Sequence, residues 1–251
     1  MNRFYEKLNI PDNCIVENTV FKKAFLENAD LTSMDKKIIN EHIKKVIWKY
    51  CLKPDTINIQ PYRSEDRDYL EIEIIEVQLN DSSKFKRIAE IIMRAIPYPI
   101  LLVLIKDNQM QLITGDMRKN LSDNSKVTVE DFSYSDWIDL DSSNRFKENL
   151  FKELNFTKMS YTNFYQMYQD ITAKINFYNM SKTKGEIVSE KETNMSSSDA
   201  KILYDEINLI DAKIETLQKQ IKKNSSISEK VEISLEISNL KNKKELFLKQ
   251  L

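Results

Sequence analysis

The chain has 251 residues, of which 31% are charged and 41% hydrophobic, and 38 basic residues against 39 acidic ones give a formal net charge of -1. These values predict a soluble globular protein with one good-sized domain and an appendage. Two glycines, one histidine and two cysteines exclude a dinucleotide-binding G-x-G-x-x-G turn, a Walker A loop, and zinc sites built on two histidines or four cysteines.

The residues at the start of the chain carry charges and lack the apolar core of a signal peptide. The longest apolar run, residues 97–105, is too short to span a bilayer. Two distant cysteines give no disulfide framework, which fits a reducing compartment. We therefore expect a cytoplasmic protein with no membrane contact.

The first strong pattern predicts a helix over residues 33–52. Thr32 stands three residues before Asp35, which is a capping arrangement, and Lys53-Pro54 ends the pattern. Cys51, at the end of this helix, is expected to be a small buried side chain. The apolar residues at helical spacing are Ile39, Ile43, Val46, Ile47 and Tyr50.

The next elements are strands at residues 56–60 and 69–79 and a helix at residues 83–95. Within the second strand the alternation of apolar residues changes phase, which predicts a β-bulge near Ile74-Ile75. Further strands are expected at 100–105, 110–114 and 126–130, with a turn at Asp107-Asn108 and an irregular segment at 134–140 that packs Trp137 on the sheet. The order predicts an α/β domain over residues 1–140, an α+β-type mixed sheet with flanking helices.

The C-terminal part divides into three predicted segments. Residues 141–180 form a helical extension with helices at 144–154 and 161–179, and residues 181–198 form a flexible linker. Residues 199–251 carry a heptad seam interrupted at 224–226, which predicts an antiparallel coiled-coil helical hairpin. The seam residues expected to bind a partner are Leu203, Ile207, Ile210, Ile214, Leu217, Ile221, Ile233, Ile237 and Leu240.

The acidic strand is the best candidate for catalysis. Asp68, Glu71, Glu73 and Glu76-Val77-Gln78 resemble the D…E-x-K signature of restriction-type nucleases, in which carboxylates hold Mg²⁺ and a lysine positions the attacking water. Gln78 stands where that lysine is expected. A polar row on an amphipathic strand gives the same pattern. The enzymatic alternative is thus a divergent Mg²⁺-dependent nuclease using Glu73, Glu76 and Gln78; no other metal or cofactor is predicted.

A basic surface is the second candidate. Lysines on the polar face of the predicted helix 33–52, together with basic residues of helix 83–95, could contact nucleic-acid phosphates. An ordinary solvated helix face has the same composition. The residues are Lys36, Lys37, Lys44, Lys45, Lys49, Lys84, Lys86 and Arg87.

Several segments together resemble the DUF4391 family, which is named for its lack of assigned function. They are Leu8–Pro11, Ile47–Tyr50, Lys53–Ile59, Glu73–Val77 and Ala95–Ile100. The family has no established catalytic residues. Its members tend to occur near DNA methyltransferase and helicase genes in prokaryotic defence neighbourhoods, so the resemblance implies an accessory role in restriction-like immunity.

The favoured hypothesis is a non-enzymatic adaptor of an antiphage defence system that binds a helicase or DNA methyltransferase, with DNA as a further candidate partner. One alternative is the nuclease described above. The other is a scaffold that assembles as a homo-oligomer through the hairpin.

Overall fold

A computed structural model describes residues 2–28, 31–120, 127–223 and 226–249 of the chain. The chain forms two compact units, Met1–Ile175 and Asn176–Leu251. Within the described residues, no helix combines the length and the apolar composition that a bilayer span requires.

Within its described residues the first unit contains seven α-helices, two 3₁₀ helices (Asp12–Cys14 and Phe156–Lys158) and nine strands. The helices are α1 (Asn2–Leu8), α2 (Lys22–Asn28), α3 (Ser33–His42), α4 (Pro54–Ile57), α5 (Phe85–Ala95), α6 (Arg145–Glu153) and α7 (Phe164–Lys184), whose last residues belong to the second unit. The strands are β1 (Ile15–Val20), β2 (Ile43–Leu52), β3 (Tyr62–Arg63), β4 (Asp68–Tyr69), β5 (Ile72–Leu79), β6 (Ile100–Lys106), β7 (Gln109–Lys119), β8 (Val127–Tyr134) and β9 (Ile138–Asp139).

One mixed sheet organises this unit. Its strand order is β1-β2-β5-β6-β7-β8, with β9 paired to β7, while β3 and β4 form a separate two-stranded sheet. Strands β5 and β6 are parallel and the other pairs are antiparallel. A parallel pair needs a crossover, which α5 supplies. The predicted mixed sheet with flanking helices is confirmed.

The predicted helix 33–52 is wrong beyond His42. The cap is confirmed, because the Thr32 hydroxyl accepts from the Asp35 amide and the Asp35 carboxylate accepts from the Thr32 amide. From Ile43 onward the chain is strand β2, paired to both β1 and β5. The run Ile43–Leu52 is rich in β-branched and aromatic residues, and hydrogen bonding on both sides favours the extended form over a helix.

Two further local predictions are wrong. Residues 56 and 57 of the predicted strand 56–60 belong instead to helix α4. Pro54 occupies the first position of this helix, and Asn58, in the left-handed conformation, ends it. The predicted bulge lies on the neighbouring strand. Trp48 pairs with Ile75 and Tyr50 with Ile74, so the extra residue is Lys49 of β2.

Strand β5 itself runs without interruption along β6, from Glu73 opposite Ile100 to Gln78 opposite Ile105. Residues 72–77 are all buried, so both faces of the strand are covered. The change of phase in the sequence therefore reflects burial on both sides rather than a bulge in β5.

The other predictions for this unit are close to the observed elements. Helix α5, strands β6 and β7, the turn at Asp107-Asn108 and helices α6 and α7 are confirmed. Strand β8 extends four residues past the predicted end, and predicted residue 126 lies outside the described residues. Trp137 meets the ring of Phe85 edge-on at 5.9 Å between ring centroids, as expected for a segment packed on the domain.

The second unit holds the predicted hairpin. Helices α9 (Ser197–Lys223) and α10 (Ile227–Leu248) pack together around Ile210, Ile214, Leu217 and Ile237. The predicted interruption at 224–226 falls in part on residues 224 and 225, which lie outside the described residues. Residues 181–198, predicted as an unpacked linker, hold the end of α7, the short helix α8 (Glu190–Thr193) and the buried residues Ser181 and Val188.

Gly115 of β7 is expected to tolerate no side chain. An added Cβ would lie 2.6 Å from Cγ1 of Val129 on the paired strand, so Gly115→Ala should lower the free energy of unfolding by about 2 kcal/mol through overpacking. Urea denaturation measures this loss. In Gly115→Ala/Val129→Ala the clashing methyl is absent, so the two losses should be less than additive. Strict additivity would show that Val129 is not the obstacle.

Candidate functional site

The carboxylates of β5 lie on opposite faces of the sheet. Side chains alternate along a regular strand, so Glu73 and Glu76, three residues apart, point away from each other. The neighbours agree, because Glu73 contacts Cys51 and Trp48 whereas Glu76 contacts Tyr5 and Gln78. The predicted nuclease set of Glu73, Glu76 and Gln78 therefore does not converge on one ion.

Glu76 is a fully hydrogen-bonded buried carboxylate. Its side chain accepts from the Tyr5 hydroxyl at 2.9 Å on Oε2 and from the Gln78 amide at 2.9 Å on Oε1. Burial and the adjacent Glu76 raise the pKa of Tyr5 well above its ordinary value, so Tyr5 stays a donor. The strand residue opposite Glu76 is Ile47, which offers no ligand. These contacts give Glu76 a structural role.

Glu73 belongs to a different group, the thiol–carboxylate cluster, formed by Cys51, Glu71 and Glu73. Cys51 lies directly opposite Glu73 in the β2–β5 pair. Its Sγ lies 3.2 Å from Oε1 of Glu73 and 3.8 Å from Oε2 of Glu71. The Trp48 indole donates to Oε2 of Glu73. Glu73 and Cys51 are 2% and 5% exposed, and Glu71 is half-buried.

The thiol–carboxylate cluster perturbs the protonation of its members. Burial raises the pKa of Glu73 to about 7, against hydrogen bonds from Cys51 and Trp48 that lower it. Burial also raises the pKa of the Cys51 thiol, and the Glu73 carboxylate raises it further. The pKa of Lys53 is raised by Cys51 and Glu71. Strong pKa perturbation of adjacent buried groups is typical of functional sites.

The donor set of this cluster is suited to a metal ion. One ligand atom from each of its three residues lies within 4.8 Å of the others, and within the described part of the chain no other group of three or more such residues meets this condition. A thiol with two carboxylates is a mixed soft and hard donor set.

The eight predicted nucleic-acid residues do not form one helical face. Lys36 and Lys37 lie on α3, and the next three lie on β2. Lys86 and Arg87 lie on α5, and Lys84 precedes that helix at its N-cap position. Arg87 is bound by Asp35 through Nε at 2.7 Å and Nη2 at 2.8 Å, and by Glu90 at 2.7 Å. Lys49 pairs with Glu17. The exposed residues of the set are Lys36, Lys37, Lys44, Lys45, Lys84 and Lys86.

The predicted seam is used within the hairpin. Of its nine residues, Ile210, Ile214, Leu217 and Ile237 form the buried core between α9 and α10, and Ile221, Ile233 and Leu240 pack against that core. Leu203 and Ile207 are also buried. Seven of the nine seam residues therefore pack between α9 and α10 and the other two are buried, so the seam is not a free surface.

A different apolar surface is exposed on α10. The outer stripe consists of Ile227, Val231, Leu235 and Leu246, which are 54–80% exposed. At 3.6 residues per turn they fall within a sector of about 100° on the side of the helix opposite the seam, whose residues on α10 are Ile233, Ile237 and Leu240. Helix α10 is thus apolar on two opposite faces.

Comparison with known proteins identifies the family. The family model described as "Domain of unknown function (DUF4391)" matches residues 8–243. The chain belongs to the DUF4391 family. Neither the curated proteins nor the solved structures give a match.

The outer stripe and the thiol–carboxylate cluster of this DUF4391 protein differ in how far the sequence alone could have predicted them. Ile227, Val231 and Leu235 recur every four residues beside the seam, so the outer stripe could have been found from helical spacing. The thiol–carboxylate cluster depends on β2 pairing with β5. A reading of residues 43–52 as a helix could not bring Cys51 next to Glu73.

Proposed function

We propose that this DUF4391 protein is a non-enzymatic adaptor of a prokaryotic antiphage defence system. It acts in the cytoplasm and uses its C-terminal hairpin to bind a helicase or DNA methyltransferase. The observation that carries the proposal is the outer stripe, an exposed apolar surface on a helix whose other apolar face is already packed. The defence context rests on the family resemblance.

The shape of the outer stripe defines the kind of partner. From Ile227 to Leu246 it spans about 28 Å, with the exposed polar residues Ser238 and Asn242 in the same sector between Leu235 and Leu246. Charged residues of both signs flank it, Glu232 and Lys243 on one side and Lys241 and Glu245 on the other, and all four are exposed. A narrow apolar stripe flanked by charges fits an amphipathic helix, so we propose that a helix of the partner packs along α10.

The other hypotheses have less support from the geometry. Contact with DNA remains a proposal, supported by the exposed lysines Lys36, Lys37, Lys44 and Lys45, but weakened because Arg87 and Lys49 are engaged by carboxylates. The nuclease alternative is weakened because Glu73 and Glu76 lie on opposite faces of β5, so that Glu73, Glu76 and Gln78 cannot bind one metal ion together. The self-assembling scaffold is an outcome of the test below.

Adding charge to the outer stripe is expected to weaken partner binding. Val231→Lys/Leu235→Lys should weaken binding of the purified helicase or methyltransferase from the same gene neighbourhood by roughly tenfold or more, because buried apolar contacts dominate such interfaces. Titration calorimetry measures the affinity. Both residues are exposed, so the thermal midpoint should remain that of wild type.

Ser234→Lys is the control, since it adds one positive charge, as each substitution of the double variant does, to an exposed position of the same helix beside the stripe. It should bind like wild type. Light-scattering mass is recorded in parallel. If the wild type is a dimer and the double variant is a monomer, the result supports the scaffold alternative instead of the adaptor. If the wild type binds neither purified partner, the adaptor proposal is rejected.

A further inference from the structure

We propose that Cys51, Glu71 and Glu73 bind a divalent transition-metal ion of borderline softness, with zinc as the preferred ion. The thiol–carboxylate cluster joins the end of β2 to the start of β5, two strands held side by side in the sheet. This site is independent of the hairpin, and its chemistry is separate from the proposed adaptor function.

The distances match a metal site before any ion is placed. A tetrahedral zinc ion with Zn–S of about 2.3 Å and Zn–O of about 2.0 Å holds its sulfur and oxygen ligands about 3.5 Å apart. In the cluster, the Sγ of Cys51 lies 3.2 Å from the Glu73 carboxylate and 3.8 Å from the Glu71 carboxylate. The two sulfur–oxygen separations bracket the required value, and the ligand oxygens of the two carboxylates lie within 4.8 Å of each other. An ion would draw these ligands together by side-chain movement.

The surroundings hold the ligands in place. The Trp48 indole donates both to Oε2 of Glu73 and, at 3.2 Å, to the carbonyl oxygen of Tyr50, which leaves Oε1 directed at the thiol. A donor behind a ligating carboxylate fixes its orientation in known metal sites. Cys51 and Glu73 are buried on two paired strands, whereas Glu71 is half-buried. The ion therefore enters from the side of Glu71, and a fourth ligand binds on that side.

The donor set selects among ions. A thiolate favours zinc or cobalt over magnesium and calcium, which prefer oxygen ligands alone. Binding of the ion displaces the thiol proton into the solvent. Three protein ligands leave one position open, which is the arrangement of zinc sites that also bind an exchangeable ligand.

Cobalt(II) is the probe. Titration of the metal-free full-length protein should give a near-ultraviolet thiolate-to-cobalt charge-transfer band that saturates at one equivalent and disappears when zinc, but not magnesium, is added. Cys51→Ser should abolish the band. Glu73→Gln should weaken cobalt binding by roughly tenfold or more, and Trp48→Phe by about tenfold through the lost support of Glu73.

Cys14→Ser is the matched control, because Cys14 is the chain's other cysteine and is also buried. It should keep the full band. Zinc should also raise the thermal midpoint of wild type, a measurement that needs no variant to fold. The proposal is overturned if wild type shows neither the band nor the thermal shift. It is equally overturned if the band survives in Cys51→Ser or depends on Cys14.

Discussion

Asp35→Asn is expected to lower the free energy of unfolding at pH 7 by about 2 kcal/mol, because it removes the charge from a buried carboxylate that accepts charge-assisted hydrogen bonds from Arg87, whose own side chain is 38% exposed. The Asp35 carboxylate is 4% exposed and is bound by two nitrogens of Arg87. It also accepts from the backbone amide and the hydroxyl of Thr32, so it joins the start of α3 to α5. Urea denaturation measures the loss.

The loss should depend on pH. The hydrogen bond from Arg87, helped by Thr32, holds the pKa of Asp35 far below its ordinary value of 3.8. A group whose pKa is lowered on folding contributes stability above its unfolded pKa and loses it as the pH falls toward the folded pKa. The difference between wild type and Asp35→Asn should therefore be constant above about pH 5 and shrink below about pH 4.

Glu90→Gln is the control for this ion pair. Glu90 binds the same arginine at 2.7 Å, but its side chain is 27% exposed and lies one helical turn from Arg87. Such a pair contributes about 0.5 kcal/mol or less. Equal losses in Asp35→Asn and Glu90→Gln would show that burial of Asp35 does not set the strength of the interaction.

Lys147→Met is expected to destabilise the first unit by about 2–3 kcal/mol, since it removes a charged donor shared by several carbonyls. Lys147 is 5% exposed. Its ammonium group donates to the carbonyl oxygens of Asp139 at 3.1 Å, Leu140 at 2.9 Å and Ser142. The lysine therefore fixes the loop between β9 and α6. Methionine keeps most of the aliphatic length but leaves these carbonyls without that donor.

Thermal and urea denaturation measure this loss, and Lys152→Met provides the comparison. Lys152 lies on the same helix and is exposed, so its substitution should change stability by less than about 0.5 kcal/mol. Lys147→Arg should fall in between, because a planar guanidinium cannot direct three donors at carbonyls arranged for an ammonium group. If Lys147→Met is as stable as the wild type, water must donate the hydrogen bonds that these loop carbonyl oxygens accept from Lys147.

Patterns that repeat within one element could be read from the sequence alone. The Thr32–Asp35 cap, helix α5, the hairpin between β6 and β7, and helices α9 and α10 all follow from local spacing and turn residues. In each case the residues that define the element also contact one another within it or across a short turn. Local physics is then sufficient.

The tertiary structure decided the conformation of residues 43–52. Their apolar residues fit helical spacing, yet hydrogen bonding to β1 and β5 made them a central strand. The same pairing placed Glu73 against Cys51. Because β5 runs without a bulge, Glu73 and Glu76 lie on opposite faces of the sheet. Composition excluded zinc sites made of two histidines or four cysteines. The proposed mixed site joins Cys51 to carboxylates about twenty positions away, and these residues come together only when β2 pairs with β5.

The division between sequence and structure follows from the range of the interactions. Length and charge balance are properties of the sequence itself. The cap, the turns and the heptad pattern of the hairpin depend on residues within about two helical turns of one another. Which face of β5 each carboxylate occupies, and whether Arg87 is available to a phosphate or held by Asp35, was decided by strand register and helix contacts between residues 20 to 52 positions apart. Such contacts depend on the whole fold, because register reverses every side chain when it shifts by a single residue.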